Sequence, residues 1–163
     1  MGRKDFNMSN HANFYIDHHP DQILLDGLWS FEWQDRAVED IGALTFPHAA
    51  KLPSSGYRCL EQAGILPDPY YGTNSKLYEW TDKKIWYFTR SFVLSDVTDK
   101  QILLCFDGVS YRCRVWVNGQ SAAQHEGMFG GPVTDISAYV HRGREYAGGG
   151  GHTAAARLPV HSL

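Results

Sequence analysis

The residues with the clearest chemical potential lie in one loop that is rich in proline and glycine. Tyr70, Tyr71 and Trp80 carry flat rings, while Asp68 and Asn74 carry hydrogen-bond acceptors and donors. Aromatic rings stack on the apolar faces of sugars through their apolar bodies, and carboxylate and amide groups bind hydroxyls. These five residues are therefore the candidate substrate-binding residues, and a sugar is one ligand that suits their chemistry.

A structural interpretation of the same loop stays open beside that one. In it, Pro69 rigidifies a turn, Tyr70 packs on the core, and Asn74 satisfies the backbone of the loop. Turn-forming residues between Gly64 and Lys84 predict a long stretch without regular structure. Loops of this length are uncommon in compact domains unless they have a function. The two roles are compatible with each other.

The carboxylates do not predict catalysis by the chain itself. A glycosidase needs two carboxylates that flank the sugar bond, and the candidates are Glu61, Asp68, Asp107 and Glu126. Asp107 precedes a glycine, where a turn carboxylate commonly caps backbone amides. Glu126 ends a predicted hairpin strand and is expected to face solvent. No catalytic residue is assigned, and whether the chain is an enzyme is left open.

Histidine and cysteine positions predict neither a metal site nor a cofactor. His125 stands beside Glu126, and His18 and His19 are adjacent, but neither group has a third ligand at metal-binding spacing. The sequence has three cysteines in no CxxC arrangement, as expected for reduced thiols in a cytosolic protein. The first residues contain no apolar signal segment, so the expected localisation is cytoplasmic.

Charge and hydropathy exclude two classes of partner. The 163 residues carry a formal net charge of −3, with Lys and Arg scattered along the chain. That distribution predicts no nucleic-acid partner. The longest apolar runs are far too short to cross a bilayer, so no membrane partner is expected.

Period-two patterns and turn signals predict an all-β fold with one short helix. Aromatic residues alternate from Trp29 to Trp33, and Ile85–Leu94 is the clearest strand. Asn118-Gly119 predicts a type I′ hairpin that joins 111–117 to 120–126. Ser55, as an N-cap, predicts the helix over 55–63. The expected fold is an antiparallel jelly-roll β-sandwich of about eight strands.

Three further segments receive predictions from local composition. Pro47 and Pro53 are expected to bracket an irregular crossing. The apolar run 101–106 is expected to form a strand that is buried on both faces. The tryptophans on alternating strand positions favour core or inter-domain packing, with a sugar-stacking platform as the alternative. They are Trp29, Trp33, Trp86 and Trp116.

Several motifs occur in an order that resembles a known family. Asp68-Pro69-Tyr70-Tyr71-Gly72 is followed by Trp86-Tyr87-x-x-Arg90-Ser91-Phe92 and by Val117-Asn118-Gly119. Over roughly 25–144 the chain resembles the N-terminal, galactose-binding-like jelly-roll domain of glycoside hydrolase family two, most closely its β-mannosidase branch. In that family a (β/α)8 barrel does the chemistry, and a barrel of about 250 residues does not fit in this chain.

The resemblance implies a division of the chain and a function. Residues 23–145 are the expected jelly-roll domain and 1–22 a flexible lead-in. The glycine- and alanine-rich 146–163 is expected to be disordered or artefactual, because ordering it would cost about 1–2 kcal/mol per residue. The implied function is a non-catalytic domain that packs beside the barrel and edges its sugar pocket. The alternatives are a free-standing carbohydrate-binding module and an interaction domain without a ligand.

Overall fold

Strands dominate the computed structural model, which describes residues 22–94 and 99–140 and the backbone of 152–158. The strands are β1 Gly27–Gln34, β2 His48–Leu52, β3 Ile85–Phe92, β4 Leu103–Cys105, β5 Arg112–Val117, β6 Gln120–Glu126, β7 Val133–Asp135 and β8 His152–Leu158. The helix α1 spans Gly56–Gln62, and 3-10 helices span Ile41–Ala43, Asn74–Tyr78 and Thr81–Lys83. The predicted all-β sandwich with one short helix is confirmed.

Six strands form the main sheet in the order β2-β1-β3-β8-β5-β6, and every neighbouring pair is antiparallel. Strands β4 and β7 form a second, antiparallel sheet. The predicted hairpin joins β5 to β6, with positive φ angles of 49° at Asn118 and 80° at Gly119. The type I′ geometry requires this left-handed pair, which explains the Asn-Gly dipeptide.

Two different layers cover one face of the main sheet. On the β1 and β3 side, α1 packs Cys59 and Leu60 against Phe31, Trp86 and Phe88. On the β5 side, the small sheet supplies the cover. The core there contains Phe92, Leu104, Val109, Cys113, Val115, Val117, Ile136 and Val140. The predicted burial of Trp86 and Phe88 is confirmed, since they are 0% and 2% exposed.

The opposite face of the sheet is partly covered by the segment after β1. Ile41 packs there against Tyr87 and Trp116, which are both buried. The hydroxyl of Tyr87 accepts a hydrogen bond of 2.8 Å from the amide of Val38. Strand β3 is therefore buried on both faces at its beginning, and the tryptophans of the sheet are occupied in packing.

The helix begins and ends as its sequence predicts. The hydroxyl of Ser55 accepts a hydrogen bond of 3.4 Å from the amide of Arg58 and so caps the first turn. Gly64 follows the helix with a φ of +68°, the left-handed conformation that favours glycine after a helix. These two residues fix how the chain enters and leaves α1.

The prediction that 146–163 is a disordered or artefactual tail is wrong for 152–158. Strand β8 lies between β3 and β5, and its register places Phe88 opposite Ala156 and Val115 opposite the same residue. The prediction considered only the small side chains. It omitted the backbone hydrogen bonds, which a central strand forms with a neighbour on each side. The four glycines precede β8 and lie, like 146–147 and 159–163, outside the described residues.

Two further predictions are corrected at the sheet edges. The segment between Pro47 and Pro53 is a regular strand, β2, at the edge of the main sheet. Proline is tolerated at the ends of an edge strand, so the pair bounds β2 and does not disrupt it. Strand β4 is buried on one face only, since Leu104 is buried whereas Leu103 and Cys105 are exposed.

The predicted lead-in, 1–22, lies outside the described residues except for Gln22. The long loop from Gly64 to Lys84 is present but contains two of the 3-10 helices, Asn74–Tyr78 and Thr81–Lys83. Short 3-10 turns tolerate the proline- and glycine-rich context that ends α-helices.

Candidate functional site

Hydrogen bonds within the 68–74 loop hold its backbone in place. The carboxylate of Asp68 accepts a hydrogen bond of 2.9 Å from the backbone amide of Tyr70. The backbone carbonyl of Asp68 accepts another of 2.9 Å from the side-chain amide of Asn74. The amide of Asn74 donates in turn to the carbonyl of Tyr71 at 3.2 Å. The loop is thus closed on itself from Asp68 to Asn74.

The two tyrosines project from this closed loop into solvent. Tyr70 is 88% exposed and Tyr71 78% exposed, although the intervening backbone is fixed. The structural interpretation is therefore right that Asn74 satisfies loop backbone and wrong that Tyr70 packs on the core. Two exposed rings on a fixed backbone are suited to stacking on a flat partner, because the loop loses little freedom on binding.

Trp80 lies apart from the tyrosines in an aromatic cluster. Its ring centroid is 5.3 Å from that of Trp33 and 6.3 Å from that of Trp86, and the ammonium of Lys84 lies 5.8 Å from it. The ring is half-buried and packs among Trp33, Trp86 and Lys84. Of the five predicted residues, the structure joins Asp68, Tyr70, Tyr71 and Asn74 in one loop, and it gives Trp80 a separate packing role.

Three of the four candidate carboxylates, namely Glu61, Asp68 and Glu126, are engaged with neighbouring groups. The hydrogen-bonded guanidinium of Arg112 lowers the pKa of Glu126 and keeps this exposed carboxylate ionised. Glu61 forms an ion pair with Arg58, and Asp68 caps a backbone amide. A glycosidase acid requires the opposite, a carboxyl group whose pKa is raised.

No group of three or more His, Cys, Asp or Glu side chains in the described residues is placed to hold a metal ion. None of the helices in the described ranges has the length and apolar character needed to span a bilayer.

Sequence reasoning missed a second group of exposed apolar side chains. Phe129 is 88% exposed and Met128 57% exposed in the loop between β6 and β7. On the small sheet that follows, Val133 begins β7 and is 65% exposed, and Leu103 on the paired strand β4 is 53% exposed. A signal existed in the apolar pair between Gly127 and Gly130, where flanking glycines predict a loop and not a core strand.

A family model describes most of this sandwich. The model for the galactose-binding domain-like part of glycosyl hydrolase 2 matches residues 29–147, well over half of the chain. The chain therefore belongs to the galactose-binding-like domain family of glycoside hydrolase family two, as its motifs indicate.

Curated relatives are glycosidases by name, and this chain spans only about an eighth of the length of those that it matches. It is 29% identical over 118 residues to the β-mannosidase of Mus musculus, covering 71% of this chain and 12% of the relative. It is 26% identical over 108 residues to β-mannosidase B of Thermothelomyces thermophilus, with 66% and 12% covered. It is 33% identical over 116 residues to an exo-β-D-glucosaminidase of Amycolatopsis orientalis, with 67% and 11% covered.

Solved structures share the fold at lower identity. The β-D-mannosidase of Dictyoglomus thermophilum superposes with a TM-score of 0.66 at 22% identity, covering 82% of this chain and 15% of that enzyme. A β-glucuronidase of Ruminococcus gnavus gives a TM-score of 0.55 at 24% identity, covering 82% and 20%. The chain thus corresponds to one domain of much longer proteins.

Proposed function

We propose that the chain serves as the non-catalytic N-terminal domain of a β-mannosidase-like glycoside hydrolase. The single observation that carries this proposal is the match to one domain of relatives named β-mannosidase, of which the chain spans about an eighth. In this role the domain packs beside a catalytic (β/α)8 barrel and edges the barrel's sugar pocket. The hydrolysis of O-glycosidic bonds is carried out by the barrel of the full-length parent.

The electrostatics of the domain support a non-catalytic role. Among its candidate carboxylates, Glu126 is held ionised by Arg112, and Asp68 is used as a loop cap. Two carboxylates flanking a bond, one of them protonated, are what retaining and inverting glycosidases both need. Glu126 is therefore unsuited to act as the acid that the reaction requires, because that acid must be protonated.

The 68–74 loop is the part of the domain proposed to edge the sugar pocket. Its tyrosines are exposed and its backbone is fixed by the bonds of Asp68 and Asn74. A sugar ring at the pocket entrance would stack on Tyr70 or Tyr71 without reordering the loop. Trp80 has no place in this role, because its ring packs in the aromatic cluster.

An activity assay on the purified chain tests the non-catalytic assignment. We expect no turnover of aryl β-mannosides or aryl β-galactosides by the 163-residue chain. Turnover that disappears in Asp68→Asn or Glu126→Gln would overturn the assignment and place an active site in this domain.

A free-standing carbohydrate-binding module is the second candidate, and the exposure of Tyr70 and Tyr71 is the observation that favours it. A glycan-binding screen on the purified chain separates the two functions. Binding that is lost in Tyr70→Ala/Tyr71→Ala and kept in Phe129→Ala would support a module that acts without a barrel.

A further inference from the structure

The second exposed surface has a composition unlike the tyrosine loop. We define the Phe129 surface as Leu103, Met128, Phe129 and Val133, whose exposed fractions are 53%, 57%, 88% and 65%. None of the four carries a group that can bind a hydroxyl. Such a surface is suited to apolar protein contact, and aromatic and methionine side chains are enriched at the centres of interfaces.

The backbone beneath the Phe129 surface is fixed by the core. The amide of Gly127 donates to the carbonyl of Tyr111 at 2.7 Å, and the amide of Val109 donates to the carbonyl of Gly130 at 2.9 Å. A Cβ at Gly131 would lie 2.3 Å from the carbonyl oxygen of Phe106, so the loop is pressed against the backbone that directly follows β4. The exposed side chains are therefore presented on a rigid base, which lowers the entropic cost of docking.

Polar groups surround these apolar residues. Arg112 and Glu126 form an exposed ion pair of 2.9 Å at the base of the loop. On the small sheet, the side chain of Gln101 donates to the carboxylate of Asp135 at 2.9 Å. An apolar centre with a polar rim is the usual anatomy of a protein–protein interface.

The topology places the Phe129 surface at the end of the sheet where β8 ends. Strands β3 and β5 run in the same direction, because each is antiparallel to the β8 between them. Leu158, the last residue of β8, lies opposite Trp86 at the beginning of β3. Tyr111, which holds the Phe129 loop, directly precedes β5 at that same end.

We propose that the Phe129 surface is the face with which this domain contacts the catalytic region of its parent enzyme. The inference rests on the proposed function and specifies where the two parts meet. The partner is chosen because the relatives extend for most of their length outside this domain, and because β8 ends at the same end of the sheet as the loop that carries Phe129. The partner face is expected to be apolar at its centre.

Binding in trans tests this proposal with the 163-residue chain. The probe is the β-D-mannosidase of Dictyoglomus thermophilum from which the matching domain has been deleted, with the isolated deleted domain as a positive control. We expect the 163-residue chain to bind the probe and Met128→Ser/Phe129→Ser to weaken binding at least tenfold. The matched variant Tyr70→Ser/Tyr71→Ser changes two equally exposed rings and should bind within threefold of the unaltered chain.

The outcomes separate this inference from the proposed function. Binding that is unchanged in Met128→Ser/Phe129→Ser overturns the inference and leaves the proposed function standing. No binding of the unaltered chain, while the control domain binds the probe, counts against both. Sedimentation of the chain alone tests whether the Phe129 surface instead binds a second copy of the chain. A dimer that the same double substitution dissociates would assign the surface to a second copy and overturn the inference.

Discussion

Two aromatic regions of this domain have similar residues and opposite environments. Phe31, Trp86 and Phe88 lie on paired strands and are at most 2% exposed beneath α1. Tyr70 and Phe129 lie in loops and are each 88% exposed. Strand alternation drives the first group into the core, whereas backbone hydrogen bonds hold the second group outside it. Aromatic content alone therefore does not locate the core, and the rings left outside mark the surfaces available for partners.

The sharpest contrast between the regions is in stability. Phe88→Ala removes a fully buried ring and should lower the free energy of unfolding by about 3–5 kcal/mol. Phe129→Ala removes the same ring from an exposed position and should change it by no more than about 0.5 kcal/mol. Urea titration of both variants measures the difference. Equal costs, or a cost below about 1 kcal/mol for Phe88→Ala, would contradict the assigned burial.

A buried thiol beneath the aromatic core gives that region a pH dependence. Burial raises the pKa of Cys59 from 9.0 to about 11. Above pH 9 the unfolded thiol ionises while the folded one does not, so its contribution to stability is present below pH 9 and lost as pH rises towards 11. The loss approaches about 2–3 kcal/mol at roughly 1.4 kcal/mol per pKa unit.

Comparison with Cys59→Ala isolates this contribution from other groups that titrate in the same range. The unfolding free energy of the unaltered chain should fall more steeply than that of the variant between the pKa of 9.0 for the free thiol and the pKa of about 11 for the buried one. Parallel pH profiles for the two proteins would show that the Cys59 thiol is accessible to water in the folded state.

The central position of β8 predicts a strong effect of proline there. Ala155 pairs with Thr89 on one side and with Trp116 on the other. Ala155→Pro removes a donor from the ladder and leaves a buried acceptor unpaired, at a cost of about 1–3 kcal/mol. Ala155→Gly keeps the amide and should cost about 0.5–1 kcal/mol. A proline variant as stable as the glycine variant would exclude β8 from the centre of the sheet.

The edge strand β2 offers the smallest expected effect. The side chain of Gln62 accepts from the amide of Lys51 at 2.8 Å and lies 3.5 Å from its carbonyl, so it occupies hydrogen-bonding groups on the free edge. Gln62→Ala should cost about 0.5–1.5 kcal/mol and leave that edge open to other chains. Gln120→Ala, at an exposed position on β6, serves as the control. Equal melting temperatures for the two variants would show that the hydrogen bonds of Gln62 do not stabilise the edge of β2.

The sequence predicted those elements whose signals are local. Ser55 and Gly64 bound the helix, and Asn118-Gly119 determines the hairpin, because each residue is required by the backbone geometry at its own position. Strand β8 could not be predicted in the same way. Its place depends on a gap between β3 and β5 that exists only once the rest of the sheet is formed, and its small side chains give little periodic signal.

The candidate site was predictable in part for the same reason. The turn residues of the 68–74 loop correctly indicated a loop with available side chains, but the exposure of Tyr70 depends on the self-contained bonds of Asp68 and Asn74. Trp80 is as able to stack on a sugar as the two tyrosines are. It packs against Trp33, which lies 47 positions earlier in the chain. The sequence contains no local signal for such a contact.

Activity of a joined enzyme tests the central claim most directly. The deleted β-D-mannosidase of Dictyoglomus thermophilum would be fused to this chain at the position of the missing domain, and hydrolysis of an aryl β-mannoside would be measured. The account predicts that the fusion regains activity over the deleted enzyme and that Met128→Ser/Phe129→Ser reduces this gain. A fusion no more active than the deleted enzyme, although the enzyme's own domain restores it, would contradict the claim that this chain serves a catalytic barrel.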